Sequence, residues 1–165
     1  MFVGDEVLLD VSFAVARARL VNLTRGGLLR GASQDAYGLA IAGRPGSGTS
    51  GRAGLARVQV RELAARDDSA GLAIGWEVTG PDGGLFPVLD ADMKLTPAAE
   101  PTTVLALAGV YRPPDAGDEA PERAIVRRIA SAAIRNFLGR VASGITGQPG
   151  PAAAAAGPSP VPRSR

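Results

Sequence analysis

The chain contains neither cysteine nor histidine, and those two absences exclude most familiar catalytic chemistry. Thiolate nucleophiles, Ser-His-Asp triads, disulfides, iron-sulfur clusters and zinc on nitrogen or sulfur ligands all need one or the other. Acid or base work falls to Asp, Glu, Tyr and a single lysine, Lys94, which stands beside 17 arginines. No metal site and no cofactor is expected. Aromatics are scarce as well: four Phe, two Tyr and one Trp, 4% of 165 residues.

No apolar run approaches the roughly 18–20 residues that cross a bilayer, so no membrane span is expected. The opening Met1-Phe2-Val3-Gly4-Asp5-Glu6 is acidic where a secretory leader is basic, and a cytoplasmic protein is the default expectation. The formal net charge of +2 overstates the basic character. Arg163 and Arg165 lie in the last three residues, and the other 16 basic side chains balance 16 acids. A near-neutral body lacks the dense positive surface that releases counterions from nucleic acid, so a nucleic-acid partner is not expected.

What is abundant is glycine and proline, 22 and 13 residues, against a hydrophobic fraction of 45%. Their distribution divides the chain into one domain, 1–146, and a Pro/Ala/Gly-rich tail, 147–165, without core-forming residues, which predicts a disordered segment. Within the domain, period-two alternation predicts a first strand over 7–13, with Val7, Leu9, Val11 and Phe13 on one face. A short helix over 14–23 follows. The stretch 28–41 mixes signals, and Tyr37-Gly38-Leu39-Ala40-Ile41 supports a strand over 36–42. After a glycine-rich loop at 43–54, strands are expected over 55–64, 71–79, 86–95 and 102–111. Short connections between them imply an antiparallel meander. Pro113-Pro114 stops the last strand, and a helix over about 120–145 carries an apolar stripe of Val126, Ile129, Ala130, Ala133, Phe137 and Val141, with Arg128 and Arg135 facing away. The expected class is α+β: an antiparallel sheet of about six strands with a short helix after the first strand and a long C-terminal helix lying on the sheet.

That element order, together with the segments Trp76-Glu77-Val78-Thr79-Gly80, Gly84-Leu85-Phe86-Pro87-Val88-Leu89-Asp90-Ala91-Asp92 and Ala108-Gly109-Val110-Tyr111-Arg112-Pro113-Pro114, resembles the START-like helix-grip superfamily, also called SRPBCC. Within it the chain is most similar to small actinobacterial SRPBCC-like proteins, related to polyketide aromatase/cyclases. The resemblance covers about residues 3–146. It implies a curved sheet gripping the long helix, with an apolar cavity between them. The family usually has about seven strands and a pair of helices after the first, against the single short helix read here.

Several motifs compete with plainer explanations. Gly46-Ser47-Gly48-Thr49-Ser50-Gly51 matches the dinucleotide pattern G-x-G-x-x-G, but a strand should precede it and a helix follow. Instead the strand at 55–64 comes next, which marks the segment as a loop. Asp90 and Asp92 project to one side of a strand, about 7 Å apart, a spacing that suits acid-base work or a hard cation. Leu89, Ala91, Met93 and Leu95 occupy the opposite side, so the aspartates read as a solvated row. Arg57 and Arg61 share a similar polar row. Arg123, Arg127, Arg128, Arg135 and Arg140 give the last helix a basic face, suited either to solvent or to an acidic partner.

Trp76 alternates with Leu72, Ile74 and Val78, and Tyr111 shares a face with Leu105 and Leu107. These, with Leu89, Met93, Ile129 and Phe137, are the candidate ligand-binding residues: Trp76, Leu89, Met93, Leu107, Tyr111, Ile129 and Phe137. The leading expectation is a protein that binds a small hydrophobic molecule, lipid-like or polyketide-like, between sheet and helix. A cyclase-type enzyme is the alternative, less favoured because it needs at least two polar groups in the pocket and only Tyr111 is an inward candidate. A non-catalytic interaction module with a filled core is the third reading. A homodimer is left open.

Overall fold

The computed structural model describes residues 1–42, 56–60, 64–66, 68–78, 87–113 and 120–147. The order of elements is β1 (Phe2–Leu9), α1 (Phe13–Arg25), α2 (Leu28–Ala42), β2 (Ala56–Val60), β3 (Ala64–Arg66), β4 (Ser69–Val78), β5 (Val88–Pro97), β6 (Thr103–Arg112) and α3 (Ala120–Thr146). Four long strands in the spatial order β1-β6-β5-β4 form the body of one antiparallel sheet. The short strands β2 and β3 pair with separate stretches of the free edge of β4, at 74–78 and 69–71.

One face of this sheet is covered. Val3 and Leu9 of β1, Ala70, Leu72, Ile74 and Trp76 of β4, Leu89, Ala91, Met93 and Leu95 of β5, and Leu105, Leu107 and Tyr111 of β6 are buried in a single apolar cluster with all three helices. The α3 helix lies over β1 and β6, α1 reaches β5, and α2 lies against α3 and β2. Apolar residues at every second strand position meet helical stripes spaced three and four apart, which is how a half-buried sheet and amphipathic helices share one core.

Backbone chemistry explains the joints. Ser12 precedes α1 and its carbonyl accepts the first helical bond from Ala16 at 2.9 Å. Between α1 and α2, Gly27 adopts φ +76, a left-handed conformation that glycine enters without a side-chain clash. Gly147, also at φ +76, ends α3 with its N–H donating to the Ser143 carbonyl at 2.9 Å. Arg19 of α1 donates to the Ile145 carbonyl at 2.5 Å, placing a cation at the negative end of α3. Gly144 lies inside α3, where a β-carbon would sit 3.0 Å from a Leu23 methyl. Thr103, fully buried at the start of β6, donates to the Val11 carbonyl at 2.8 Å and ties the exit of β1 to the last strand.

Four expectations are corrected. The segment 36–42 is not a strand but the second half of α2. Leu29, Ala32, Ser33, Ala36, Tyr37, Ala40 and Ile41 are buried at helical spacing, and this packing overrides the strand preference of Tyr37 and Ile41. A helix pair, not one short helix, therefore follows β1. The first strand runs over 2–9 rather than 7–13. Its face parity was right, but Ser12 and the helix formers after it claim the end of the segment. The stretch 55–64 does not form one long strand, since β2 ends at Val60 and β3 begins at Ala64. The about six strands expected are thus not the strands found: four long ones carry the sheet, with two short pieces on one edge. The C-terminal helix agrees in position; Ala130, Ala133, Phe137 and Val141 of its expected stripe are buried, Val126 and Ile129 are only half-buried, and Ile134, Leu138 and Ile145 are buried as well. The glycine-rich loop at 43–54, the turn at 80–84, the bridge at 115–119 and residues 148–165 of the tail lie outside the described residues.

Candidate functional site

The strand register sorts the candidate residues into rows. Trp76 of β4 pairs with Leu89 of β5, and Leu89 pairs with Tyr111 of β6, so the three form one line across the covered face. Two positions along, Ile74, Ala91 and Gly109 form a row of smaller groups. Beyond it come Leu72, Met93 and Leu107, which places Met93 and Leu107 side by side about 13 Å from the aromatic row. All five strand candidates are buried, as is Phe137 of α3. Ile129 is the exception: it is half-buried and stands outside the core cluster. It lies two turns before Phe137, nearer the start of α3, and it is not brought together with the others.

Gly109 is required where it stands. A β-carbon there would lie 2.3 Å from the Asp90 carbonyl and 2.4 Å from the Cα and Cβ of Ala91. Two of these neighbours are backbone atoms and the third, the Ala91 Cβ, is fixed by the backbone, so no side-chain rotation relieves the clash.

Two residues that the sequence reading did not single out complete the polar part of the site. Ser33 and Tyr37 stand one turn apart on α2, and both are buried. The indole N–H of Trp76 donates to the Ser33 hydroxyl at 2.6 Å, which satisfies the one polar group of that ring. Tyr37 meets the Trp76 ring edge-on, with centroids 5.7 Å apart and planes at 80°, the geometry favoured by the ring quadrupoles. The Tyr37 hydroxyl, however, finds no hydrogen-bond partner among the described residues. Burial and, second, the neighbouring Tyr111 push its ionisation up to about 12 from the usual 10.0. Below that range it stays a neutral phenol, a donor rather than a base. The spacing of Leu29, Ser33, Ala36, Tyr37 and Ala40 was the signal that could have placed Tyr37 on an inward helical face.

The other singled-out groups fall elsewhere. Asp90, Asp92 and Lys94 are exposed on the open face of β5. Arg57 pairs in register with Glu77, while Arg61 lies outside the described residues. The five arginines of α3 are exposed, and two of them join elements: Arg135 bonds Asp5 of β1 at 3.4 Å, and Arg140 pairs with Asp35 of α2. No helix among the described residues is long and apolar enough to cross a membrane.

The fold and this buried aromatic row define an α+β protein with one antiparallel sheet covered on one face by three helices. No protein-family model and no curated protein matches the chain. Among solved structures, it is similar to a conserved protein from Geobacillus kaustophilus, with a TM-score of 0.51 and 16% identity over 89% of this chain and 96% of that one. A hypothetical protein from Helicobacter pylori matches with a TM-score of 0.48 and 10% identity, over 87% of this chain and 86% of that one. The first of these likenesses is one of fold.

Proposed function

We propose that the protein binds a small hydrophobic molecule, lipid-like or polyketide-like, between the antiparallel sheet and α3, as a helix-grip domain of the START-like, SRPBCC kind whose sheet curves around that helix. The observation that carries this reading is the Tyr37 hydroxyl, buried without a partner among the described residues, beside Trp76 and near Tyr111. Buried polar groups are normally paired, and a single donor on an otherwise apolar face fits the pattern of a hydrophobic ligand site with few polar groups. Apolar contact with the sheet rows would supply affinity at about 25 cal/mol per Å² removed from water. Native mass spectrometry of the protein as purified, followed by titration of Trp76 emission with fatty acids and flat aromatic polyphenols, tests the reading. A retained small molecule or a saturable change in emission supports it. An unloaded protein whose emission no probe alters argues for a filled core and an interaction role.

The cyclase-type alternative gains one point from the structure, since Ser33 and Tyr37 join Tyr111 as hydroxyl groups on the helix-covered side. A phenol held neutral up to about pH 12 suits hydrogen-bonding to a carbonyl and not proton abstraction at neutral pH. The balance therefore stays with binding.

A further inference from the structure

We propose that Tyr37 is the polar anchor of this apolar site, and that its hydroxyl takes an uncharged acceptor: a ketone, ester or amide carbonyl, or an alcohol oxygen, on an otherwise hydrophobic ligand. The inference rests on the ligand-binding reading above and narrows it to a chemical class.

The Trp76 N–H is committed to Ser33, and the Thr103 hydroxyl to the Val11 carbonyl at the far end of the sheet. Tyr37 is 2% exposed, so bulk water does not reach it freely, and its hydroxyl is the one buried side-chain polar atom among the described residues without a partner. A phenol that stays protonated has a hydrogen to give, so the missing group is an acceptor.

The charge of that acceptor follows from the surroundings. Among the described residues the buried polar set is Ser33 and Thr103, with no buried Lys or Arg to neutralise a carboxylate. Three arginines of the surrounding helices are engaged elsewhere. Arg19 holds the Ile145 carbonyl, Arg135 holds Asp5, and Arg140 holds Asp35. The Met1 ammonium sits at the rim of the aromatic row, donating to the Tyr111 carbonyl at 2.7 Å. A carboxylate placed at Tyr37 would be desolvated without a dedicated counter-ion, a far larger penalty than burying a neutral carbonyl that receives one good hydrogen bond. The site therefore selects against free fatty acids and for their neutral relatives.

The test uses the full chain and three probes of equal carbon number, octane, 2-octanone and octanoate, followed by Trp76 emission in the unmodified protein and in Tyr37→Phe. The unmodified protein is expected to bind 2-octanone about 3–10-fold more tightly than octane, the size of one net hydrogen bond, and octanoate more weakly than either. Tyr37→Phe should drop 2-octanone below octane, because its carbonyl is then buried without a donor, while leaving octane unchanged. Equal binding of ketone and alkane by the unmodified protein, a comparison that needs no variant, would mean that the phenol is satisfied by water and overturns the anchor while the apolar site stands. Tighter binding of octanoate overturns the neutral-ligand assignment and shifts attention to the Met1 ammonium. If no probe binds either protein, the ligand-binding reading falls together with the anchor.

Discussion

Along β5 the side chains alternate between two environments: Leu89, Ala91, Met93 and Leu95 are buried, whereas Asp90, Asp92 and Lys94 between them are exposed. The register carries that contrast across the sheet. On the covered side the rows read Trp76-Leu89-Tyr111 and Leu72-Met93-Leu107, while on the open side they read Gly75-Asp90-Val110-Phe2 and Ala73-Asp92-Ala108-Gly4. One face holds large apolar groups and a few buried hydroxyls. The other holds glycine, alanine and charge, with Phe2 and Leu8 each about 70% exposed. Stability and any selective chemistry are therefore concentrated on one side of the same strands, and a substitution's effect should depend on its parity more than on its position.

The largest expected effect tests that parity directly. Met93→Ala, at a fully buried position, should cost about 2–5 kcal/mol, read as a fall in denaturation midpoint at unchanged m-value. A loss under about 1 kcal/mol would show that the covered face is loosely packed. Gly109→Ala should follow at about 1–3 kcal/mol, because the added carbon meets the backbone of β5. Neutrality in thermal unfolding would mean that β5 and β6 can move apart at no cost.

The hydroxyls sharpen the comparison within the covered face. Tyr37→Phe removes a buried hydroxyl that has no partner among the described residues and should stabilise the protein by about 1 kcal/mol at neutral pH, where loss of stability would reveal a partner. Its pH signature has a definite sign. The Tyr37 ionisation is raised from 10.0 to about 12, so the unfolded chain releases this proton first. The stability associated with the neutral phenol is complete below pH 10 and falls as pH rises towards 12, by about 1.4 kcal/mol per pH unit. Melting curves between pH 9 and 12 should therefore show a steeper alkaline decline in the unmodified protein than in Tyr37→Phe. The smallest effect belongs to the open face: Asp90→Asn with Asp92→Asn should move the melting midpoint by no more than about 0.5 kcal/mol in free energy. A large drop would show the aspartates to be part of a structural network.

Much of this division was legible in the residue order. Period-two alternation marked β4 and β5 and their inward faces, because a sheet covered on one side leaves a polar-apolar record, whereas β6 is apolar on both faces and was legible as a strand only. Pro113 marked the end of β6, and the stripe from Val126 to Val141 marked the inner side of α3 except at Ile129, which is half-buried outside the core cluster. The helix α2 was hidden by its own composition. Tyr37, Leu39 and Ile41 favour strands locally, and Gly31 and Gly38 weaken a helix, so only tertiary packing of Leu29, Ser33, Ala36 and Tyr37 decides the matter. Missing α2 meant missing the polar half of the candidate site. Trp76 could be assigned to the covered side from its own strand, but the partner of its N–H comes from 43 residues away, a relation that no local pattern encodes.

The pairing of β1 with β6 has a consequence in time. Val3 pairs with Gly109, so β1 leaves the ribosome with no neighbour until more than a hundred further residues have been made. At about 5–20 residues per second that is a wait of roughly 5–20 s. The β4-β5-β6 meander needs only hairpin-range contacts and can assemble as it emerges, whereas closing β1 onto β6 is the most non-local step in the sheet. Until then Val3 and Leu9 have no strand to join, and the covered face lacks the edge over which α3 must settle. Through that interval β1 stays unpaired, and the core closes only once β6 and α3 have been made.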